Sequence, residues 1–295
     1  MPTKSGYAAI IGKPNAGKST LLNAILESKL SIVTPKPQTT RKRVLGIYTN
    51  GDNQIIFLDT PGIINPRYTM QKIMMDYVSE SINESDVVIA LIDMEKYAEE
   101  GIPEAIMQIA TNSGKPVICV LNKVDRLLDR KMILPVIEEL NALKVFADII
   151  PAAALKKMNV DDIIETITRH LPEHEFYFDE DLLSTQTERF FVSELIRENI
   201  FILTKEELPY STEVSILEFK ERAYGKWYIH AEIIVERDSQ KRIIIGSEGK
   251  LIKEIGERSR IKIEEHLGEE VFLELFVKVR PNWRDDSHKL RSFGY

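Results

Sequence analysis

The segment Gly12-Lys13-Pro14-Asn15-Ala16-Gly17-Lys18-Ser19 constrains the fold of this chain more than any other. It fits G-x-x-x-x-G-K-[ST]. It stands between the apolar run Tyr7–Ile11 and the stretch Lys18–Ser28, where Leu21, Leu22 and Ile25 recur at helical spacing. A strand, a Gly-rich turn and a helix in that order form a cradle for phosphate. The glycines let backbone N–H groups close around phosphate oxygens, and the helix N-terminus adds partial positive charge. Lys18 can reach the β- and γ-phosphates, and Ser19 can ligate Mg²⁺, with Thr20 next on the first turn. Such a unit needs a sheet around it. Ile55–Leu58, Val87–Ile92 and Val117–Leu121 are short apolar runs with polar flanks, as buried parallel strands require. Between them, Met70–Ile82 carries Met70, Ile73, Met74, Tyr77 and Val78 on one helical face. Pro103–Ala110 and Met132–Leu143 are further helix candidates. The alternation predicts a doubly wound α/β domain over residues 1–171.

Two strand ends carry more chemistry. Asp59-Thr60-Pro61-Gly62 follows Ile55–Leu58. An Asp at the carboxyl end of a parallel strand beside a phosphate loop can hold Mg²⁺, and Gly62 permits a backbone N–H to approach the γ-phosphate. Asn122-Lys123-Val124-Asp125 follows Val117–Leu121. A carboxylate can accept from both the N1–H and the 2-amino group of guanine. Adenine offers neither donor, so Asp125 would be left unpaired against it, which gives strong discrimination. Asn122 can bond the base or tie the loops together, and the Lys123 stem can cover the ring.

Leu171–Leu183, which reads LPEHEFYFDEDLL, is acidic and aromatic and contains a proline. We read residues 172–186 as a linker that docks on one domain. Residues 187–295 follow another order. Thr187–Leu203 reads as a helix, Thr212–Lys220 and Lys226–Glu236 as strands, Arg242–Ile245 and Lys250–His266 as helices, and Val271–Val279 as a strand. That order, α-β-β-α-α-β, frames the G-x-x-G of Gly246-Ser247-Glu248-Gly249 between two helices. The arrangement is a KH clamp for about four nucleotides of single strand, both helix ends being expected to offer N–H groups to phosphate. Lys241, Arg242, Lys250 and Lys253 surround the loop, and Ile244, Ile245 and Ile252 are candidate base contacts. Residues 185–295 hold 19 Lys and Arg against 21 Asp and Glu, so any RNA footprint is local. Glu248 repels phosphate unless it points away, which predicts modest, salt-sensitive affinity.

Composition narrows the remaining classes. The chain is 43% hydrophobic and 29% charged, which excludes wholesale disorder. A net charge of −7 argues against bulk adhesion to nucleic acid. No apolar run approaches the roughly 20 residues of a bilayer span. Cys119 is the single cysteine, so a reducing cytoplasm is expected, with the thiol as inert core. His170 and His174 are separated by Pro172 and are not read as a metal site. Trp227 and Trp283 are read as packing residues, and Arg41-Lys42-Arg43 as a solvated face that could meet RNA.

The nucleotide motifs resemble those of the translation-factor-related P-loop GTPases, and the likeness extends to one family, Era. Pro35-Lys36-Pro37-Gln38-Thr39-Thr40-Arg41 is similar to the Era effector loop. Glu207–Ser211, Phe276–Asp286 and Leu290–Tyr295 are similar too, so the resemblance runs from Gly6 to Tyr295. It implies a P-loop GTPase domain with a mainly parallel sheet, followed by a type II KH domain. It implies GTP or GDP with Mg²⁺, and a threonine that closes on Mg²⁺ and the γ-phosphate, Thr40 or alternatively Thr39. It gives Asn15 a part in ligating K⁺. It places a backbone donor for the guanine carbonyl at Ala154. There the family usually has Ser-Ala-Lys or Ser-Ala-Glu, and Ala153-Ala154-Leu155 departs from it; the missing hydroxyl is expected to loosen the loop and weaken nucleotide affinity. Ile63 stands where Ras-like enzymes place a water-orienting Gln, so hydrolysis is expected to be slow or assisted. The resemblance also implies binding near the 3′ end of small-subunit ribosomal RNA and a role in maturing the 30S subunit, by a cytoplasmic monomer. The sequence leaves two rivals. One is a signalling GTPase in weak peripheral contact with the inner face of the cell membrane. The other is an RNA-binding scaffold with a vestigial nucleotide site.

Overall fold

The computed structural model describes residues 3–295. The chain divides into two compact units, residues 3–66 with 73–185 and residues 67–72 with 186–295. Among the described residues no helix is long and apolar enough to cross a membrane.

The first unit is built on a six-stranded sheet. Its strands are β1 (Lys4–Gly12), β2 (Val44–Asn50), β3 (Asn53–Asp59), β4 (Val87–Asp93), β5 (Val117–Asn122) and β6 (Asp148–Pro151), in the order β2-β3-β1-β4-β5-β6. All pairings are parallel except β2 with β3. Because helices cover both faces, the strands read as unbroken apolar runs rather than alternations; the consecutive residues Ile55, Ile56 and Phe57 are each 0% exposed. The helices are α1 (Lys18–Leu26), α2 (Thr69–Glu84), α3 (Met94–Glu100), α4 (Glu104–Asn112), α5 (Ile133–Ala142) and α6 (Val160–His170). Leu21, Leu22 and Ile25 of α1 are buried, as their spacing predicts. On α2, Met70, Met74 and Val78 are buried while Ile73 and Tyr77 are only partly covered. The strands β2 and β6 and the helices α3 and α6 are additions to the sequence reading. Cys119 is buried in β5, and burial pushes its thiol up to about 12. His170 bonds Asp148 at 3.0 Å and His174 stacks on Tyr177, so the two do not converge.

One expectation needs correction here. Arg41 is 2% exposed and belongs to the interior, not to a solvated face. The acidic linker docks on the first unit. The buried Gln54 carboxamide accepts from the Tyr177 and Phe178 amides at 2.9 and 3.1 Å and donates to the Phe178 carbonyl at 2.8 Å. The Ile47 amide of β2 donates to the Leu183 carbonyl at 2.8 Å, and the Ser184 hydroxyl donates to the Leu45 carbonyl. This segment thus covers an edge that would otherwise present unpaired backbone groups.

The second unit contains α7 (Glu188–Leu203), β7 (Glu213–Lys220), β8 (Trp227–Val235), α8 (Asp238–Ile245), α9 (Lys250–Leu267), β9 (Val271–Val279) and α10 (Ser287–Ser292). Its sheet runs β7-β8-β9, with β7 antiparallel and β9 parallel to β8. Val192, Ile196 and Ile200 of α7 and Ile255 and Ile263 of α9 pack on Ile229, Ala231 and Ile233 of β8. Trp283 is fully buried and its indole N–H donates to the Ser211 carbonyl at 3.1 Å, while Trp227 packs beside the same core.

Candidate functional site

In the first unit, the carboxyl ends of β1, β3 and β5 meet where strand order reverses about β1, the position at which open α/β sheets bind ligands. A cleft of about 370 Å³ lies there, lined by Asn15, Lys18, Ser19, Thr40, Gly62, Asn122, Lys123, Asp125 and Ala154 among others. Chain segments far apart in sequence are therefore brought into one pocket.

The phosphate end is built from β1 and α1. Gly17 caps α1 at φ 101°, and a Cβ there would stand 2.2 Å from the Asn122 amide nitrogen, so both conformation and space require glycine. No side chain caps the helix, leaving its first N–H groups to a ligand. The Lys18 ammonium is buried and donates to the Gly12 and Lys13 carbonyls, each at 3.1 Å. Burial lowers its pKa to about 8 against the opposing pull of Asp59. The Lys13 side chain instead points outward to Glu100 at 2.7 Å.

Three oxygen-bearing side chains converge beside Lys18. The Ser19 hydroxyl donates to Asp59 Oδ2 at 2.7 Å and lies 2.8 Å from the Thr40 hydroxyl. Thr39 turns elsewhere, to Thr34 at 2.7 Å and the Lys36 carbonyl at 2.8 Å. Asp59 is fully buried, and Oδ1 has no hydrogen-bond partner among the described residues. Desolvation raises its pKa, while Ser19, the Lys18 ammonium and Ser31 pull it down. An open, buried carboxylate oxygen next to two hydroxyls suits a hard dication. Among the described residues no group of three His, Cys, Asp or Glu could hold a metal. Mg²⁺ would therefore sit on Ser19, Thr40 and Asp59 together with phosphate oxygens of the nucleotide, where it would neutralise charge on the phosphates.

Gly62 packs so closely on the phosphate loop that a Cβ would stand 2.7 Å from the Pro14 nitrogen. The next amide, Ile63 N–H, donates to the Gly12 carbonyl at 3.0 Å, and the Ile63 side chain joins the core. Thr60 is fully buried and its hydroxyl donates to the Ile10 carbonyl at 2.7 Å, so it supports the turn and does not line the cleft; nor does Pro61. Asn15, at φ 65°, donates to the Pro35 carbonyl at 3.0 Å and ties the phosphate loop to the effector segment.

At the base end, Asn122 acts as a tie between loops. Its amide donates to the Ala16 carbonyl at 2.8 Å, and its Oδ1 accepts the Ala154 N–H at 3.0 Å. The Ala154 N–H expected to face a guanine carbonyl is thus engaged by Asn122. Lys123, at φ 67°, reaches Asp93 Oδ2 at 2.6 Å. Asp125 is partly buried at the cleft wall. Leu155, 66% exposed, also lines the cleft, as do Ile32, Val33 and Gln38. Sequence reading missed Ile32 and Val33, which no spacing marks, and named Gln38 and Leu155 only within longer stretches.

In the second unit, the Gly246–Gly249 loop joins α8 to α9. The expectation of two donor ends is corrected here. α8 enters the loop by its C-terminus, which offers carbonyls, and Gly246 N–H caps Arg242 O at 2.9 Å. Only α9, uncapped by any side chain, offers free N–H groups. Glu248 sits at φ 53° with its side chain in solvent, 3.3 Å from Lys250. Ser247, Arg242, Lys250 and Lys253 are exposed and Lys241 and Ile245 half-buried. Ile244 is 0% exposed, so it is core and not a base contact, whereas its neighbour Ile243 is 56% exposed. Beside the loop, Ile252, Lys253, Gly256, Glu257 and Arg260 of α9 and Leu273 and Leu275 of β9 line a groove of about 380 Å³.

Comparison with known proteins agrees with both units. A family described as "50S ribosome-binding GTPase" matches residues 7–123, and the KH domain family matches residues 207–284. The chain is 42% identical over 292 residues to GTPase Era of Trichlorobacter lovleyi, covering 99% of this chain and 98% of the relative. It is 44% identical over 294 residues to GTPase Era of Geotalea uraniireducens, covering 99% and 98%. A crystal structure of Era in complex with MgGDPNP and nucleotides 1506–1542 of 16S ribosomal RNA matches with a TM-score of 0.93 at 42% identity, covering 99% of each chain. A variant Aquifex aeolicus Era bound to GDP and AlF4⁻ matches with a TM-score of 0.94, also at 42% identity and 99% coverage of each chain. Given this likeness along its full length, together with the motifs gathered at one cleft, the chain belongs to the Era family of GTPases.

Proposed function

We propose that this protein is a GTP-hydrolysing switch that binds small-subunit ribosomal RNA near its 3′ end through the KH domain and assists maturation of the 30S subunit. The observation that carries the reading is that Ser19 and Thr40, with the buried Asp59 bonded behind Ser19, line the same cleft as Asp125. Phosphate-binding and base-reading groups share one pocket, and a second unit carries a G-x-x-G loop with an open helix N-terminus. An RNA complex of a 42% identical Era supports the partner. In this reading the protein works in the cytoplasm, where the ribosomal RNA is.

In this reading, bound GTP holds the Thr40 hydroxyl and the Gly62 turn on the γ-phosphate side, and hydrolysis releases both. β2 leaves the effector segment and is bonded to Leu183 and Ser184. The linker is therefore the route by which the change reaches RNA affinity. Only a difference in contacts between the two nucleotide states can couple them.

The test is binding of a 3′-terminal small-subunit rRNA fragment to protein loaded with a GTP analogue or with GDP. The analogue is expected to give the tighter complex, and equal affinities would remove the switch. Lys250→Ala is expected to weaken RNA binding severalfold and to reduce the slope of log K against log salt by about 1. An unchanged slope would take Lys250 out of the phosphate contacts. Asn15 retains a side-chain carbonyl for a monovalent cation. GTP turnover is expected to fall severalfold when Na⁺ replaces K⁺, and a rate indifferent to the exchange would remove that role.

A further inference from the structure

Ser31 is used by none of the nucleotide motifs, yet it reaches the buried Asp59 behind Ser19. It is 3% exposed, and its hydroxyl donates to Asp59 Oδ2 at 2.9 Å. The same oxygen accepts the Ser19 hydroxyl at 2.7 Å. Both donors therefore hold one oxygen of a fully buried carboxylate, and Oδ1 is the oxygen left open. A carboxylate held on one oxygen by two donors from different segments loses its freedom to rotate.

The Ser31 hydroxyl is itself firmly placed. The Asn23 side chain on α1 accepts the Leu30 and Ser31 amides at 3.1 and 3.0 Å and donates to the Ser31 carbonyl at 2.7 Å. Ser19 belongs to that same helix. One rigid element thus sets both hydroxyls that grip Asp59, which is how an exact geometry is best maintained. Ser31 also opens the segment that ends at Thr40, whose hydroxyl lies 2.8 Å from Ser19. Both ends of the effector segment are fastened to a single cluster.

We propose that Ser31 is a positioning residue for the Mg²⁺ site, locking the Asp59 carboxylate so that its free oxygen is presented to the cation. The proposal rests on reading this cleft as a Mg²⁺–nucleotide site. Outer groups that orient a metal-binding side chain typically change metal affinity by 10–100-fold when removed. Here a neutral hydroxyl is removed while Ser19 stays, so the lower end applies.

The experiment follows release of a fluorescent GDP analogue from full-length protein as Mg²⁺ is titrated, and separately in EDTA. In Ser31→Ala, the Mg²⁺ concentration giving half-maximal slowing of release is expected to rise about tenfold. The release rate in EDTA is expected to equal that of the parent. Ser31→Cys, which keeps a weaker donor in similar volume, is expected to shift the Mg²⁺ titration in the same direction by less. It carries the test if the alanine variant does not fold. A change of equal factor with and without Mg²⁺ would mark Ser31 as merely structural and overturn the proposal, as would an unshifted titration. If the parent itself released GDP at a rate independent of Mg²⁺, the reading of the cleft would fall first, a result distinguishable from failure of Ser31 alone.

Discussion

Lys18→Ala is expected to lower kcat/KM for GTP by about 100- to 1000-fold, or about 3–4 kcal/mol of transition-state stabilisation. The ammonium lies buried between the Gly12 and Lys13 carbonyls, at 3.1 Å from each, on the loop that receives phosphate. A positive charge held in so dry a place acts on phosphoryl oxygens with little screening by water. Its burial carries a cost, recorded in a pKa lowered to about 8, and the fold has no structural need for the charge beyond those two carbonyls. The variant should melt close to the parent and bind RNA in the nucleotide-free form as the parent does, because the G-x-x-G loop lies in the other unit. Phosphate release under single-turnover conditions, with a melting curve and an RNA-binding control, checks the outcome. Retained turnover would mean that the buried ammonium is not the phosphate-binding charge.

Asp125→Asn is expected to reverse base preference. The carboxylate offers two acceptors, matching the N1–H and 2-amino donors of guanine. Asparagine offers one acceptor and one donor, which matches xanthine, where an oxygen replaces the amino group. Loss of two charge-assisted bonds should weaken GDP by at least about a hundredfold, and the xanthosine nucleotide should bind more tightly than GDP. Asp125 lines the cleft that Lys18 and Ser19 line, so the change at the base should leave the phosphate end intact. Displacement of a fluorescent nucleotide by GDP and by xanthosine diphosphate reads both effects. A variant that still prefers guanine would remove Asp125 from base recognition. Because Asn122 ties the Ala16 carbonyl to the Ala154 amide, substitution there should damage both ends of the pocket at once and would not separate them.

The features legible in the sequence share one property: each is written in a contiguous stretch. The phosphate loop, Asp59–Gly62 and Asn122–Asp125 each follow an apolar run that becomes a parallel strand ending at the cleft. Runs buried on both faces announce themselves without periodicity. β2 did not, being an antiparallel edge strand with Gly46 as its third residue and polar residues at its end. β6 is four residues long, too short to stand out, and its partner is supplied by β5. Ile243 and Ile244 are chemically the same, and only the docking of α8 on the sheet decides which one is core.

By itself, the sequence determined the nucleotide chemistry, the α/β alternation and the G-x-x-G framework, since local spacing dictates which groups can surround a phosphate and which faces must be buried. Only the tertiary structure decided that Thr40, not Thr39, lies beside Ser19, that Arg41 is interior, and that the acidic segment closes the β2 edge. It alone brought Ser31 to Asp59. A serine in a loop has no periodicity and no partner in its own stretch. Its role arises when chain crossings bring its hydroxyl within hydrogen-bonding distance of a buried carboxylate, where the absence of water makes that one contact count.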